Sequence, residues 1–122
     1  MNPELIEAAH ELGTTLNQSH SVYSYLQAKA EAENNPEAAS AEAHMLEVYH
    51  ALSARQQNGE QLTQPEVQEF YALRSQVQFH PLIKARDNAL AQVKSLFAEA
   101  GTEITNQLGV DFTALALAAF EE

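Results

Sequence analysis

Cysteine and tryptophan are absent from this chain of 122 residues, and glycine and proline occur only four times each. Without cysteine the chain can form no disulfide, and it can supply neither a thiolate ligand for zinc or an iron–sulfur cluster nor a thiol nucleophile. Four glycines leave no glycine-rich loop that could cradle a phosphate. The longest apolar stretch, at residues 114–120, is far shorter than the roughly 20 residues of a membrane span.

Basic residues are also scarce, with 6 Lys and Arg against 17 Asp and Glu, which gives a formal net charge of −11 at pH 7. Binding to nucleic acids or to anionic lipid depends on Lys and Arg, which neutralise phosphates. We therefore expect no direct nucleic-acid partner and no membrane partner. The N-terminal residues Met1-Asn2-Pro3-Glu4 show neither the basic nor the apolar region of a targeting peptide, so we expect a cytoplasmic protein.

Helix starts are marked by capping residues followed by proline. Asn2-Pro3 and Asn35-Pro36 each place a cap before a proline that suits the first helical turn. Thr63 and Glu66 have the spacing of a capping box, in which each side chain accepts a hydrogen bond from the other residue's backbone. These signals predict three helix N-termini.

Helix ends are marked by glycine or by the next proline. Asn58-Gly59 favours a helix C-terminus, and His80-Pro81 predicts either a break or a kink, because the residue before proline avoids the helical region. A chain of this length corresponds to one domain. The predicted helices of that single domain cover about residues 3–33, 36–57, 64–79 and 81–108, with a short C-terminal helix at about 112–120.

The apolar residues recur at three-and-four spacing within these segments, which is typical of amphipathic helices. No window alternates with the period of a strand. The sequence thus predicts an all-α fold, an antiparallel bundle of four main helices, two long and two shorter, plus the short C-terminal helix. Four aromatic residues on the apolar stripes are predicted to lie in the core: Tyr23, Tyr49, Phe70 and Phe97.

The unequal helix lengths predict self-association. At 1.5 Å per residue the first predicted helix is roughly 45 Å long and the fourth roughly 40 Å, against about 24 Å for the third. Short helices cannot cover the ends of long ones, so Leu5, Ile6 and Ile104 would be exposed to solvent in a monomer. We therefore expect a homodimer or higher oligomer. The alternative is that these ends are simply solvated, as many surface leucines are.

Two Glu-x-x-His units, Glu7-His10 and Glu47-His50, have the spacing that di-iron carboxylate bundles use. At about 100° per residue, both units fall on the side of their helices opposite the apolar stripe, and such ligands would have to point into the core. We therefore expect no metal, no cofactor and no catalysis, and keep a metal-carboxylate enzyme as the alternative. The remaining histidines are expected on the surface: His20, His44 and His80.

Candidate partner-contact residues are apolar side chains near the edges of the stripes or in the C-terminal segment. For the aromatic residues at stripe edges, partner contact and ordinary packing are equally good interpretations. The C-terminal helix is expected to pack either on the bundle or on a partner. The candidates are Tyr25, Tyr71, Phe79, Phe112, Leu115 and Phe120.

The order of these signals resembles the YlbF/YmcA family of small bacterial helical proteins, also called the Com_YlbF domain. The likeness spans roughly residues 5 to 112. Its segments are Ala9-x-x-Leu12-Gly13 with Ser19 and Tyr25, Asn35-Pro36-Glu37-Ala38, Gln56-Gln57-Asn58-Gly59, Leu62-Thr63-x-Pro65-Glu66, Val77-x-x-His80-Pro81-Leu82-Ile83-Lys84-Ala85 and Leu108-Gly109-Val110-Asp111-Phe112.

The resemblance implies a non-catalytic, oligomer-forming cytoplasmic regulator or adaptor. It also implies partners among paralogues of the family or an RNA-processing enzyme, as in accessory factors of ribonuclease Y-dependent RNA processing, competence and biofilm regulation. Some relatives are associated with iron–sulfur clusters, but this chain departs from them because it has no cysteine. A purely structural oligomer without a client protein is the third interpretation.

Overall fold

Residues 1–120, which the computed structural model of the chain describes, fold into six helices and contain no strand. The all-α class predicted from the sequence is therefore confirmed. The helices are α1 (Pro3–Asn17), α2 (His20–Asn34), α3 (Pro36–Gln57), α4 (Gln64–Gln78), α5 (Pro81–Leu108) and α6 (Phe112–Ala118).

The first predicted helix, over residues 3–33, is two helices in the structure. The hydroxyl of Ser19 donates a 2.6 Å hydrogen bond to the carbonyl of Leu16 and accepts one of 3.3 Å from the N–H of Val22. One side chain thus satisfies a carbonyl at the end of α1 and a free N–H at the start of α2, which replaces helical hydrogen bonds at the break. No proline or glycine marks this position, and the prediction of one continuous helix was wrong for that reason.

The other helix starts carry side-chain caps of the same kind. Asn2, Asn35 and Asp111 accept hydrogen bonds of 2.8 to 3.1 Å from backbone N–H groups two or three residues ahead. Thr63 and Glu66 form a complete capping box, with hydrogen bonds of 3.3 and 2.9 Å. Each cap satisfies one of the orphan donors that a helix N-terminus leaves.

At His80 the chain breaks rather than kinks, because α4 ends at Gln78 and α5 begins at Pro81. The Nδ1 atom of His80 accepts a 3.2 Å hydrogen bond from the N–H of Leu82. Glycines in the left-handed region follow the ends of α3 and α5, with φ of 86° at Gly59 and 78° at Gly109. Both occupy the position where glycine ends helices at no steric cost.

The chain forms two compact units, one made of Met1–Tyr25 with the chain from Ala89 onward, the other of Leu26–Asn88. We call them the terminal unit and the central unit. The single domain and the larger antiparallel bundle expected from the sequence stay predictions.

The central unit is built on the pairing of α3 with α4. Tyr49 on α3 lies against Phe70 on α4, with ring centroids 5.9 Å apart, and Arg55 lies against Glu66. Higher residue numbers on α3 therefore meet lower numbers on α4, so the two helices are antiparallel. Toward the opposite end of the pair a small apolar core forms from Ala38, Val77 and Ile83, with Ala41 and Met45 packed against it.

In the terminal unit, α6 packs against α5 at Gly101. This glycine is buried, and a Cβ atom there would lie 2.7 Å from the hydroxyl oxygen of Thr113. The N–H of Phe112 also donates a 3.0 Å hydrogen bond to the hydroxyl of Thr105. The close approach explains why a glycine stands inside an otherwise regular helix, at a cost of up to about 1 kcal/mol in helix propensity.

Candidate functional site

Three of the four aromatic residues predicted in the core are exposed. Tyr23 is 63% exposed, and Tyr49 and Phe97 are each 49% exposed, while Phe70 is half-buried. The prediction was wrong for the first three because helical periodicity shows which residues share a face. It does not show whether another part of the chain covers that face.

Most of the predicted partner-contact residues are exposed. Tyr71 and Phe79 are 57% and 69% exposed, and the exposed C-terminal group comprises Phe112, Leu115 and Phe120. Tyr25 is half-buried. Tyr71 and Phe79 belong to the central unit, and the other four belong to the terminal unit.

A cavity of about 170 Å³ lies at the end of the α3–α4 pair, next to the turn that joins them. Leu62 and Val67, on either side of the Thr63 cap, both line it and have the positions of a hydrophobic staple. Sequence reasoning missed this site, although the capping box was the signal that could have located it. The other lining residues are Tyr49, Leu52, Ser53, Gln56, Phe70 and Tyr71.

An ion-pair cluster closes the same end of the helix pair. The Arg55 guanidinium donates a 2.8 Å hydrogen bond from Nε to Glu60 and a 2.7 Å hydrogen bond from Nη1 to Glu66. Together with the backbone N–H of Thr63, it lowers the pKa of Glu66 to about 2. The carboxylates in turn raise the pKa of Arg55 further above its already high value. This cluster joins the end of α3, the turn and the start of α4.

A second ion pair holds α3 to the first turns of α5. Arg86 donates hydrogen bonds of 2.8 and 2.6 Å to the two carboxylate oxygens of Glu42 and also contacts Asp87 at 3.0 Å. Both Arg86 and Glu42 are half-buried. The hydrogen bond from Arg86 lowers the pKa of Glu42. This bidentate pair joins α3 to α5, so we assign it a structural role.

Charge is divided unevenly between the units. The terminal unit has eight acidic residues and one basic residue, Lys94, whereas the central unit has nine acidic and five basic residues. Every ion pair found within residues 1–120 lies in the central unit, between residues 29 and 87. The described carboxylates of the terminal unit have no such partner, which leaves their charge facing solvent or a binding partner.

The Glu-x-x-His units lie on exposed surface. Glu7, His10, Glu47 and His50 are all exposed, and the ring of His50 packs edge-on against Tyr49 at 5.6 Å. Over residues 1–120, no three His, Asp or Glu side chains converge as metal ligands would. Of the other histidines, His20 and His44 are exposed and His80 is half-buried.

None of the helices within the described range 1–120 is both long enough and apolar enough to cross a membrane. Two features of the described surface could serve in binding. One is the set of exposed apolar side chains, and the other is the set of carboxylates that form no ion pair among residues 1–120.

Comparison with known protein families gives a match over most of the chain. The family model described as "Control of competence regulator ComK, YlbF/YmcA" matches residues 5–109. Curated proteins and solved structures gave no match.

Proposed function

The chain belongs to the Com_YlbF family, a regulatory family described as controlling the competence regulator ComK, and from this premise we propose that it is a non-catalytic adaptor acting through protein–protein contacts. The observation that carries the proposal is the exposure of large apolar side chains on all six helices. They include Leu5 on α1, Tyr49 on α3, Tyr71 on α4 and Phe97 on α5. Apolar faces of this extent in a small protein are typical of interaction surfaces.

Within that role, the resemblance supports an accessory function in ribonuclease Y-dependent RNA processing, with consequences for competence and biofilm formation. The charge of −11 supports contact with the enzyme or with a family paralogue rather than with RNA, because an acidic surface repels phosphates. We place this activity in the cytoplasm, where messenger RNA is processed in bacteria.

Self-association is part of the proposal. Leu5 and Ile6, which the sequence predicts to be wet in a monomer, are 59% and 51% exposed, while Ile104 is half-buried. In the central unit the exposed rings of Tyr71 and Phe79 offer a further apolar surface. A homodimer or higher oligomer would remove some of this surface from water, at about 25 cal/mol per Å² of apolar area.

The proposal is tested by deleting the gene in its host and complementing with variants. The readouts are ComK-dependent transcripts and the mapped ends of messengers that ribonuclease Y processes. The double variant Tyr71→Ser/Phe79→Ser should complement poorly. Glu69→Gln, an exposed residue of α4 without an ion pair among residues 1–120, should complement fully. Unchanged ComK-dependent transcripts in the deletion strain would contradict the regulatory role, and unchanged messenger ends would contradict the processing role.

A further inference from the structure

The turn that follows α3 contains a chemically reactive residue pair, Asn58-Gly59. The amide nitrogen that follows an asparagine can attack the side-chain Cγ of that asparagine, which is one reason why asparagine is a thermolabile residue. Glycine hinders this attack least because it has no Cβ. Gly59 is the only glycine of the chain that follows an asparagine. Both residues are exposed, so water can reach the reacting atoms.

The reaction has two steps, and its only co-reactant is water. In the first step the nitrogen of Gly59 loses its proton and forms a bond to Cγ of Asn58. The bond from Cγ to Nδ2 breaks, and the side-chain nitrogen leaves as ammonia, which carries that proton away. In the second step water adds to one of the two carbonyls of the resulting succinimide ring and opens it, which leaves either aspartate or isoaspartate at position 58.

The closed turn holds the pair in a conformation that cannot react. Asn58 has a ψ of 6°, which turns the nitrogen of Gly59 toward the backbone nitrogen of Asn58 and away from its side chain. Ring closure needs the nitrogen of Gly59 on the same side as the Cβ of Asn58, so ψ must first rotate. The N–H of Gly59 is also engaged, because it donates a 3.0 Å hydrogen bond to the carbonyl of Gln56. The turn must therefore open before the ring can form.

Contacts on both sides of the pair keep the turn closed. The N–H of Asn58 donates a 3.1 Å hydrogen bond to the carbonyl of Ala54, and the N–H of Glu60 donates one of 3.0 Å to the carbonyl of Arg55. The side chains of Arg55 and Glu60 are joined by a further hydrogen bond of 2.8 Å. These contacts are local, so the turn can open without unfolding of the whole chain.

The product does not fit the closed turn. Isoaspartate adds one carbon to the backbone between positions 58 and 59, so the hydrogen bonds from Gly59 to Gln56 and from Glu60 to Arg55 cannot both keep their present geometry. Either product also adds a negative charge directly after the last residue of α3, where the helix dipole is itself negative. The modified turn is therefore expected to hold α3 and α4 together less well.

We propose that Asn58-Gly59 is a self-modification site controlled by the α3–α4 turn. Asn58 deamidates only while the turn is open, and the product prevents the turn from closing as before. The modification thus accumulates with the age of the folded chain and weakens the α3–α4 pair. This inference goes beyond the adaptor function, because it concerns the lifetime of the folded chain and not its partners.

The first test compares the folded chain with the unfolded chain. The full chain is incubated at mildly alkaline pH in buffer or in guanidinium chloride, and peptide mapping by mass spectrometry measures the conversion of each asparagine to an acid. We expect Asn58 to convert at least about tenfold more slowly in the folded chain, because only the open fraction reacts. Asn106, an exposed residue followed by glutamine, is the internal control and should remain unchanged in the folded chain.

Three outcomes of this comparison would overturn the proposal. Equal rates in the folded and unfolded chains would show that the turn does not control the reaction. No conversion in the folded chain, after Asn58 of the unfolded chain has converted fully, would show that the native protein does not modify itself. Conversion of Asn106 as fast as Asn58 in the folded chain would remove the special role of the Asn58-Gly59 pair.

Variants test whether opening of the turn sets the rate. Glu60→Gln removes the charge that pairs with Arg55 and should raise the rate at Asn58 about two- to fivefold, the range expected for an exposed ion pair. The matched control is Glu47→Gln, which removes an exposed carboxylate of α3 without an ion pair among residues 1–120. It should leave the rate unchanged, and equal rates for the two variants would contradict control by the turn.

The stability of the modified chain tests the second part of the proposal. Ion exchange separates the modified chain by its added negative charge, and urea denaturation followed by circular dichroism gives its midpoint. We expect a lower midpoint than that of the unmodified chain. The control is Asn58→Gln, incubated in the same way, which should keep its midpoint because glutamine would have to form a larger and less favoured ring. A modified chain with an unchanged midpoint would show that the product fits the closed turn and would overturn this part.

Discussion

At the scale of single residues, Arg55 links three parts of the central unit, namely the end of α3, the following turn and the start of α4. Its guanidinium contacts Glu60 in the turn after α3 and Glu66 in the first turn of α4. Because Glu66 also accepts the N–H of Thr63, one arginine holds the carboxylate that completes the cap of the next helix. The low pKa of Glu66 follows from these contacts.

Because of this lowered pKa, we expect the free energy of unfolding to decrease at acidic pH. The pKa of Glu66 falls from an ordinary value near 4.5 to about 2 on folding, so the ionised form favours the folded state. Its contribution is complete above about pH 4.5 and is lost as the pH falls toward 2. The Glu66→Gln variant should be less stable than wild type at pH 7 and should lose less stability across this window.

Urea denaturation at several pH values, followed by circular dichroism, measures the effect. The control is Glu69→Gln, on the same helix and without an ion pair among the described residues. Parallel pH profiles for wild type and Glu66→Gln would show that the paired carboxylate does not contribute to acid sensitivity.

Two helical glycines provide a matched residue-scale comparison. A Cβ at Gly13 would meet nothing within 4 Å, whereas one at Gly101 would lie 2.7 Å from the hydroxyl oxygen of Thr113. Gly13→Ala should therefore stabilise the chain by up to about 1 kcal/mol through helix propensity. Gly101→Ala should gain less or destabilise, because Thr113 must move away from α5.

The two free energies of unfolding, from urea titrations under one condition, decide this point. If both alanine variants gained equally, the close contact between α5 and α6 at Gly101 would have no energetic consequence.

At the scale of helices, the capping box at the start of α4 is the helix boundary that the sequence predicts most clearly. Thr63→Ala removes the hydroxyl that accepts the N–H of Glu66, and loss of such a cap typically costs about 1 kcal/mol. We expect a loss of that size in urea denaturation. Thr102, an exposed threonine within α5 that bonds the carbonyl of Ala98, provides the control.

Thr102→Ala should be neutral or slightly stabilising, since alanine has the higher helix propensity and no helix start depends on this hydroxyl. An equal loss for Thr63→Ala and Thr102→Ala would mean that the cap adds nothing beyond the removal of a threonine.

How far the elements could be predicted depends on the kind of signal at each boundary. Asn35, Thr63 and Asp111 are caps in the structure because their short polar side chains reach backbone donors, a property visible in the sequence. Ser19 does the same at the start of α2, but it stands within a continuous apolar periodicity and no proline or glycine accompanies it. The periodicity of apolar residues cannot distinguish one continuous helix from two consecutive helices when the apolar pattern continues through the break between them.

Candidate surfaces were harder to predict than helices. Tyr23, Tyr49 and Phe97 were assigned to apolar helix faces and were therefore predicted to be buried. In the structure these three rings are exposed. Burial depends on which helices pair, and pairing depends on contacts such as Glu42 with Arg86, 44 residues apart in sequence. The local sequence around either residue does not show that two residues so far apart in the chain will pair.

At the scale of the whole molecule, the net charge of −11 opposes self-association. Salt screens repulsion between like-charged copies while leaving apolar burial intact. We therefore expect the proposed homo-oligomer to tighten as salt is added, measured by sedimentation velocity over a range of protein concentrations. A monomer under all conditions would contradict self-association, and an oligomer that dissociates with salt would indicate an interface held by opposite charges.

Among residues 1–120 the ion pairs lie in the central unit, which makes that unit the acid-sensitive part of the described chain. In the central unit, protonating Glu42 or Glu66 breaks a pairing that supports the fold. The described carboxylates of the terminal unit hold no ion pair, so acid has no such pairing to break there. Acidification is thus expected to loosen the helical hairpin of α3 and α4 first.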